Sequence, residues 1–221
     1  EARVSCLGVV GGDAESQILL GLLRELGVDT NLVFADLERP TTIKTRMIAH
    51  SQQVLRVDRE RRISIGATVV KRIQSALEES FPEYDAILVS DYSKGLLAPD
   101  LLRQVIDGAK KRGIPVLVDP KGTDFAKYRG AHLLTPNRSE AERVIGKSLG
   151  GGQLELLGER LRADLGLPAL VVTLGKDGIS LFREGARPIV IPARARAVYD
   201  VSGAGDTVLA VLGLSVASGL D

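Results

Sequence analysis

The residues best suited to chemistry lie near the end of the chain, in the string Tyr199-Asp200-Val201-Ser202-Gly203-Ala204-Gly205-Asp206-Thr207, directly before the apolar helical pattern Val208 to Val216. Small residues at a helix start leave backbone N–H groups uncovered, and the helix dipole adds positive potential, so Gly203, Ala204 and Gly205 form a cradle for an anion. A phosphoryl group in transfer is such an anion. Asp206 falls in the first helical turn, where its carboxylate can take the proton of a hydroxyl attacking phosphorus in line, and phosphoryl transfer asks for little beyond such positioning and charge neutralisation. The same string also reads more simply, as a tight turn with Asp206 capping the helix.

Four further segments carry polar groups at the ends of apolar runs. Ser90-Asp91-Tyr92-Ser93-Lys94-Gly95 and Asp119-Pro120-Lys121-Gly122-Thr123-Asp124-Phe125 each follow a predicted strand. Both therefore fall at strand C-terminal ends, where open α/β sheets bind ligands. Their lysines would meet phosphates as mobile point charges or simply be solvated. Thr135-Pro136-Asn137-Arg138-Ser139-Glu140 has the form of a helix start, with Asn137 or Ser139 as cap and Glu140 in the first turn. Thr173-Leu174-Gly175-Lys176-Asp177-Gly178 is good turn chemistry for a hairpin and equally a glycine-rich ligand loop.

The elements that must position these groups alternate regularly. An apolar run from Val4 to Val10 ends at Gly11-Gly12, Asp13 opens a helix carrying Ile18, Leu19, Leu22, Leu23 and Leu26, and a strand begins at Asn31 to Ala35. Beyond Pro40, Thr41 to Ala49 and Gln53 to Asp58 alternate apolar and polar residues around His50-Ser51, which predicts a half-exposed hairpin over residues 41–58. Helices are predicted near Thr68 to Glu79, Pro99 to Arg112, up to Ile145, and Leu154 to Leu165. Strands are predicted at Ala86 to Val89, Val116 to Asp119, Leu133 to Thr135 and Ala169 to Thr173. This alternation predicts an α/β fold with a mostly parallel central sheet and helices on both faces.

Composition narrows the partners. The 221 residues carry 29 basic and 28 acidic side chains, a formal charge of +1, with no basic stripe for nucleic acid and no polybasic membrane patch. A small anionic metabolite is the better expectation. The single cysteine, Cys6, excludes an intramolecular disulfide or a cysteine-rich zinc site and reads as a small core residue. No apolar run approaches the ~20 residues of a membrane span and no signal pattern opens the chain, so the expected location is the cytoplasm. The start at Glu1 without methionine and the end at Asp221, just past a helical pattern, predict one domain cut from a longer protein at both ends.

On these motifs the chain resembles the PfkB, or ribokinase-like, carbohydrate kinases. The segment from Asp200 to Asp206 matches the family's Asp-Thr-x-Gly-Ala-Gly-Asp signature with valine and serine in the variable middle, and Asn137 to Glu140 matches its Asn-x-x-Glu motif. The resemblance implies a ribokinase-like fold with a small β lid formed by residues 41–58, ATP and Mg²⁺ as cofactors, and Asp206 as base beside the Gly203-Ala204-Gly205 anion hole. It implies that Asn137 and Glu140 serve the phosphates and the water shell of Mg²⁺. Arg138, Ser139, Thr173, Gly175, Gly178 and Lys121 join the nucleotide contacts. A K⁺ site would use Asp200 and the carbonyls near Ser202.

The segments around Asp91, Lys121 and Tyr128-Arg129-Gly130, with Gln52 to Asp58, are closest to the branch acting on D-glycero-β-D-manno-heptose 7-phosphate in lipopolysaccharide heptose synthesis. That likeness makes Asp91, Lys94, Arg46, Gln52, Gln53 and Arg56 sugar-side residues. An exposed edge strand in the hairpin needs protection, so a homodimer formed through the lid's other face is expected. Gly12, Ser16 and Leu174-Gly175 depart from the branch's usual residues, and the family's upstream strand, its Gly-Gly-x-x-Asn sugar grip and its later adenine-pocket helices do not occur in the sequence. Another sugar kinase of the family, or a non-catalytic sugar-binding homologue, are the competing readings. No Gly-x-Gly-x-x-Gly follows the first strand, which disfavours a nicotinamide site.

Overall fold

The computed structural model describes residues 2–49, 52–150, 152–194 and 203–220. The chain divides into two compact units, Glu1–Glu79 with Lys94–Ala98, and Ser80–Ser93 with Pro99–Asp221.

In the first unit, strand β1 (Gly8–Val10), helix α1 (Ala14–Glu25) and strand β2 (Val33–Ala35) form a parallel βαβ unit. Asp13 caps α1, its carboxylate accepting from the Ser16 N–H at 3.2 Å and from the Thr41 N–H at 2.8 Å. The Thr41 hydroxyl and backbone bonds hold this carboxyl below its usual range. The first strand is shorter than the apolar run Val4 to Val10 predicts. A single bridge joins Ser5 to Asp29 and leaves Cys6 only half-buried, so it is not a full core residue. Strands β3 (Ile43–Ala49) and β4 (Gln52–Arg59) form the expected antiparallel hairpin, with a register shift after Met47. Helix α2 (Ala67–Ser80) buries Ile73 and Leu77, and the Arg72 guanidinium lies 5.2 Å from the Phe34 ring centre.

The second unit is built on a six-stranded sheet. Strands β5 (Ile87–Ser90), β6 (Val116–Asp119), β7 (Leu133–Leu134) and β8 (Ala169–Thr173) run parallel, and β9 (Ile179–Arg183) and β10 (Ile189–Ile191) add antiparallel edges, in the order β10-β9-β8-β7-β6-β5. Val116, Leu117 and Val118 are all buried, as a parallel strand covered on both faces requires. One face packs Leu117, Leu133, Ala169 and Val171 against Leu209 of helix α6 (Ala204–Ala217). Helices α3 (Pro99–Lys111), α4 (Arg138–Ile145) and α5 (Leu154–Leu165) complete the unit, α3 packing on β6, α4 on β8, and α5 on β8 and β9. Gly158 is what lets α5 lie so close to β9, since a β-carbon there would meet the Phe182 ring at 2.3 Å. Among the described residues no helix is long and apolar enough to cross a membrane.

Candidate active site

The C-terminal ends of β5 and β6 and the N-terminus of α6 place their polar residues together in the second unit. Gly203 takes the left-handed conformation, with φ of 78°, before α6 starts at Ala204, and the first turn through Thr207 is exposed. Its Ala204 and Gly205 N–H groups belong to the set that a helix leaves without internal partners. Among the described residues, the Asp206 carboxylate bonds to residues at the end of β5. Its Oδ1 accepts from the Tyr92 hydroxyl at 3.2 Å and lies 3.5 Å from the Ser90 hydroxyl, and its Oδ2 lies 3.4 Å from Tyr92. Burial and the nearby Asp206 charge push the Tyr92 phenol up, so it stays a protonated donor at neutral pH.

Asp119, the last residue of β6, faces the same place. Its carboxyl is raised to about 6, first by burial and then by the charges of Glu140 and Asp206, against the opposing effect of Lys121. A β-carbon at Gly205 would come within 3.9 Å of the Asp119 carboxylate, which places the helix backbone beside it.

The Asn137 segment is a helix start and something more. Asn137 Oδ1 accepts from the Glu140 N–H at 2.9 Å and Glu140 Oε2 accepts from the Asn137 N–H at 3.0 Å, a complete capping box. Glu140 is 2% exposed, and its Oε1 receives the Lys121 ammonium at 2.5 Å. Ser139 Oγ donates to Asn137 Oδ1. Arg138 pairs with Asp177 at 2.7 Å. The segment from Thr173 to Gly178 is the turn of the β8–β9 hairpin, with Gly175 at φ 63° and Gly178 at φ 99°. A bridge from Thr173 to Asn137 sets that turn beside the capping box. Of the two expected readings of this segment, the structure shows the turn.

Asp91, expected on the sugar side, is buried just past the end of β5. It is 5% exposed, and its carboxylate accepts from Lys127 Nζ at 2.7 Å, the Tyr128 hydroxyl at 2.6 Å and the Ser93 N–H at 2.6 Å. Burying a carboxylate requires such partners, and these tie the loop after β5 to the segment around Tyr128.

The other expected sugar-side residues belong to the first unit. Directly opposite residues on β3 and β4 share a face, so Lys44 with Asp58 and Arg46 with Arg56 line one side of the hairpin, and Thr45 with Val57 and Met47 with Leu55 line the other. Lys94 pairs with Glu60, and its ammonium is drawn below the usual range by burial and then by Lys44, against the pull of Asp58. Arg56 also pairs with Asp58 at 2.9 Å. Gln52 and Gln53 stand opposite Ala49 and Ile48, past the register shift, and are exposed. Asp200 lies outside the described residues, and with it the expected K⁺ ligand set.

Sequence reasoning does not single out Ser90, Tyr92 and Asp119 as site residues. Each sits inside a strand-end segment that it does mark, and the one signal for them is their place as the last strand residue or second after it.

Residues 2–221 match the model of the pfkB family carbohydrate kinases. The chain is 50% identical over 219 residues to the bifunctional protein HldE of Geobacter metallireducens, covering 99% of this chain and 45% of that protein. It thus spans a little under half the length of the curated relatives it matches. Among solved structures it is similar to Arabidopsis thaliana ribokinase complexed with ribose and ATP, at TM-score 0.77 and 23% identity, over 99% of this chain and 70% of that one. It is also similar to Escherichia coli phosphofructokinase-2 in complex with potassium, at TM-score 0.81 and 17% identity, over 100% of this chain and 71% of that one. These structural likenesses establish a ribokinase-like fold.

Proposed function

Because the chain belongs to the pfkB family of carbohydrate kinases, we propose that it moves the γ-phosphoryl group of ATP to a hydroxyl of a sugar phosphate. The acceptor is D-glycero-β-D-manno-heptose 7-phosphate, and the products are the 1,7-bisphosphate and ADP. The observation that carries this reading is the setting of Asp206: an exposed carboxylate on the first turn of α6, bonded to Tyr92 and near enough to Asp119 to act on its carboxyl, which the Glu140–Lys121 pair also reaches.

In this account Asp206 takes the proton of the attacking hydroxyl as that oxygen bonds to the γ-phosphorus and the bond to the β-phosphate oxygen breaks. The N–H groups at the start of α6 offset charge on the phosphoryl oxygens. Lys121, paired with Glu140, adds a positive charge.

The residues present suit Mg²⁺ held mainly by phosphates and water. Both Glu140 oxygens already have partners, and among the described residues no cluster of acidic or histidine side chains forms a direct cage. The Asp119 carboxyl is raised first by burial and then by the Glu140 and Asp206 charges beside it. Asp119, Asn137 and Glu140 would face the ion's water shell, and the ion would neutralise phosphate charge.

The heptose assignment draws support from the likeness to HldE and from the cationic side of the β3–β4 hairpin, where Arg46, Arg56, Lys44 and Lys94 suit a sugar-bound phosphate. Gln52 and Gln53 are assigned to the sugar as part of a lid. Pairing of two protomers through the opposite, apolar side of the hairpin, use of K⁺, and a cytoplasmic location near the ATP pool complete the reading.

A coupled assay of ADP release against a panel of acceptors tests it. Heptose 7-phosphate should exceed ribose, fructose and fructose 6-phosphate by at least about a hundredfold in kcat/KM, because a site that hydrogen-bonds one acceptor leaves polar groups unpaired with others. Preference for ribose or fructose would overturn the acceptor, and no phosphorylation of any acceptor would overturn the kinase reading.

A further inference from the structure

Tyr128 is 0% exposed, yet its hydroxyl is fully engaged. It donates to Asp91 Oδ2 at 2.6 Å and accepts the backbone N–H of Lys121 at 3.0 Å. Its ring packs edge-on against Phe125, with centres 5.9 Å apart. Asp91, the other end of this bond, also receives the Ser93 N–H and Lys127 Nζ. The Lys121 side chain runs on to Glu140.

Beside the backbone bond from the Asp91 N–H to the Asp119 carbonyl at 3.0 Å, this buried hydroxyl joins the loop after β5, through the Asp91 side chain, to the loop after β6, through the Lys121 backbone. A phenylalanine would fill the same space against Phe125, so packing does not explain the hydroxyl. What the hydroxyl adds is a fixed backbone at Lys121, from which the ammonium is delivered to Glu140. Without it, the Lys121 N–H loses its acceptor and the loop Asp119-Pro120-Lys121-Gly122 loses its only described tie to the Asp91 side chain. Gly122, at φ 91°, gives that loop a backbone that would move readily once released.

We propose that Tyr128 is a positioning residue for phosphoryl transfer, acting through Lys121: its hydroxyl, anchored on Asp91, fixes the Lys121 backbone so that the lysine ammonium is held at the Glu140 side of the nucleotide phosphates. The proposal rests on the kinase reading for its kinetic consequence but not for its structural one. The partner on which Tyr128 acts is the phosphate-bearing nucleotide, not the sugar.

A double-mutant cycle with Tyr128→Phe and Lys121→Ala in the full chain, together with hydrogen exchange at the Lys121 amide, tests it. Tyr128→Phe should lower kcat/KM for ATP by about tenfold, the size of one good hydrogen bond, and leave the acceptor KM within about twofold. In the Lys121→Ala background the same change should cost almost nothing, because residues that act through one another are not additive. Exchange at the Lys121 amide should quicken in Tyr128→Phe by at least about tenfold, with amides of β6 unchanged. Additive losses, a rise in acceptor KM alone, unchanged Lys121 exchange, or a Tyr128→Phe chain that does not fold would each overturn the assignment. If the parent phosphorylates no acceptor, the kinase reading fails and the exchange result alone decides the strut.

Discussion

The Tyr92 hydroxyl lies 3.2 Å from Asp206 Oδ1 and 3.4 Å from Oδ2, so one phenol from the loop after β5 spans both oxygens of a carboxylate on α6. This contact holds the Asp206 side chain toward that loop. In our account a held carboxylate meets the acceptor hydroxyl in a reactive orientation, and loosening it costs rate more than binding.

Tyr92→Phe is expected to lower kcat by between a few-fold and about tenfold, the range of a neutral hydrogen bond, with both KM values nearly constant. Steady-state kinetics check this. A parental kcat would show that Tyr92 only rests on Asp206.

Glu140→Gln should shift the Mg²⁺ titration upward, since the Lys121 partner and the charge facing the metal's water shell are lost together. Activity should recover in part at high Mg²⁺. The same assay compared in potassium and in a bulky organic-cation buffer reads the K⁺ assignment, with equal rates contradicting it. An unchanged Mg²⁺ titration would return Asn137 to Glu140 to a plain helix start.

Much of this site is legible in the order of the residues alone. The Gly203-Ala204-Gly205-Asp206 turn reads by itself as an ordinary capped turn and stands out through its match to the family signature, and Asn137 to Glu140 has the spacing of a capping box, which the structure contains. Strands β6 and β8 and helix α5 fall on the predicted residues because each is an uninterrupted apolar or amphipathic run bounded by glycine or proline. Other features depend on tertiary contact and leave no local pattern. Asp91 looks like an open strand-end carboxylate, and only the approach of Lys127 and Tyr128 from 36 and 37 residues away shows that it is buried. Strand β10 is three exposed residues on a sheet edge, a signal too short for period counting.

Asp119→Asn should stabilise the protein at neutral pH. The Asp119 carboxyl titrates near 6 in the fold against an ordinary 3.8. Between those values the folded state keeps a proton that the unfolded chain has lost, so stability falls as pH rises through this window and stays lower above it. The group is partly exposed, so the gain is on the order of 1 kcal/mol, a few degrees in Tm. Melting curves should separate parent and variant at neutral pH and bring them together near pH ~4. An equal gap at both values would contradict the cause assigned to the shift.

The two sides of the β3–β4 hairpin should answer to different measurements. Met47, Leu55 and Val57 are 52%, 49% and 49% exposed and share the apolar side. Replacing Met47 and Leu55 by glutamate should convert a dimer to a monomer in light scattering, since an exposed apolar strand pair needs cover. Gln53→Ala should raise the acceptor KM several-fold and leave the ATP KM nearly constant. A parent that is already monomeric, or a change confined to ATP, would remove the corresponding assignment.

The most direct test of the account is the rate of heptose 7-phosphate phosphorylation by Asp206→Asn at saturating ATP, Mg²⁺ and acceptor. Asparagine keeps the size of the side chain and its contact to Tyr92 but does not accept the acceptor's proton, so turnover should fall by about 10²-fold or more with ATP binding retained. Turnover at the parental rate would contradict the role of Asp206 as the base, and with it the mechanism built on the start of α6.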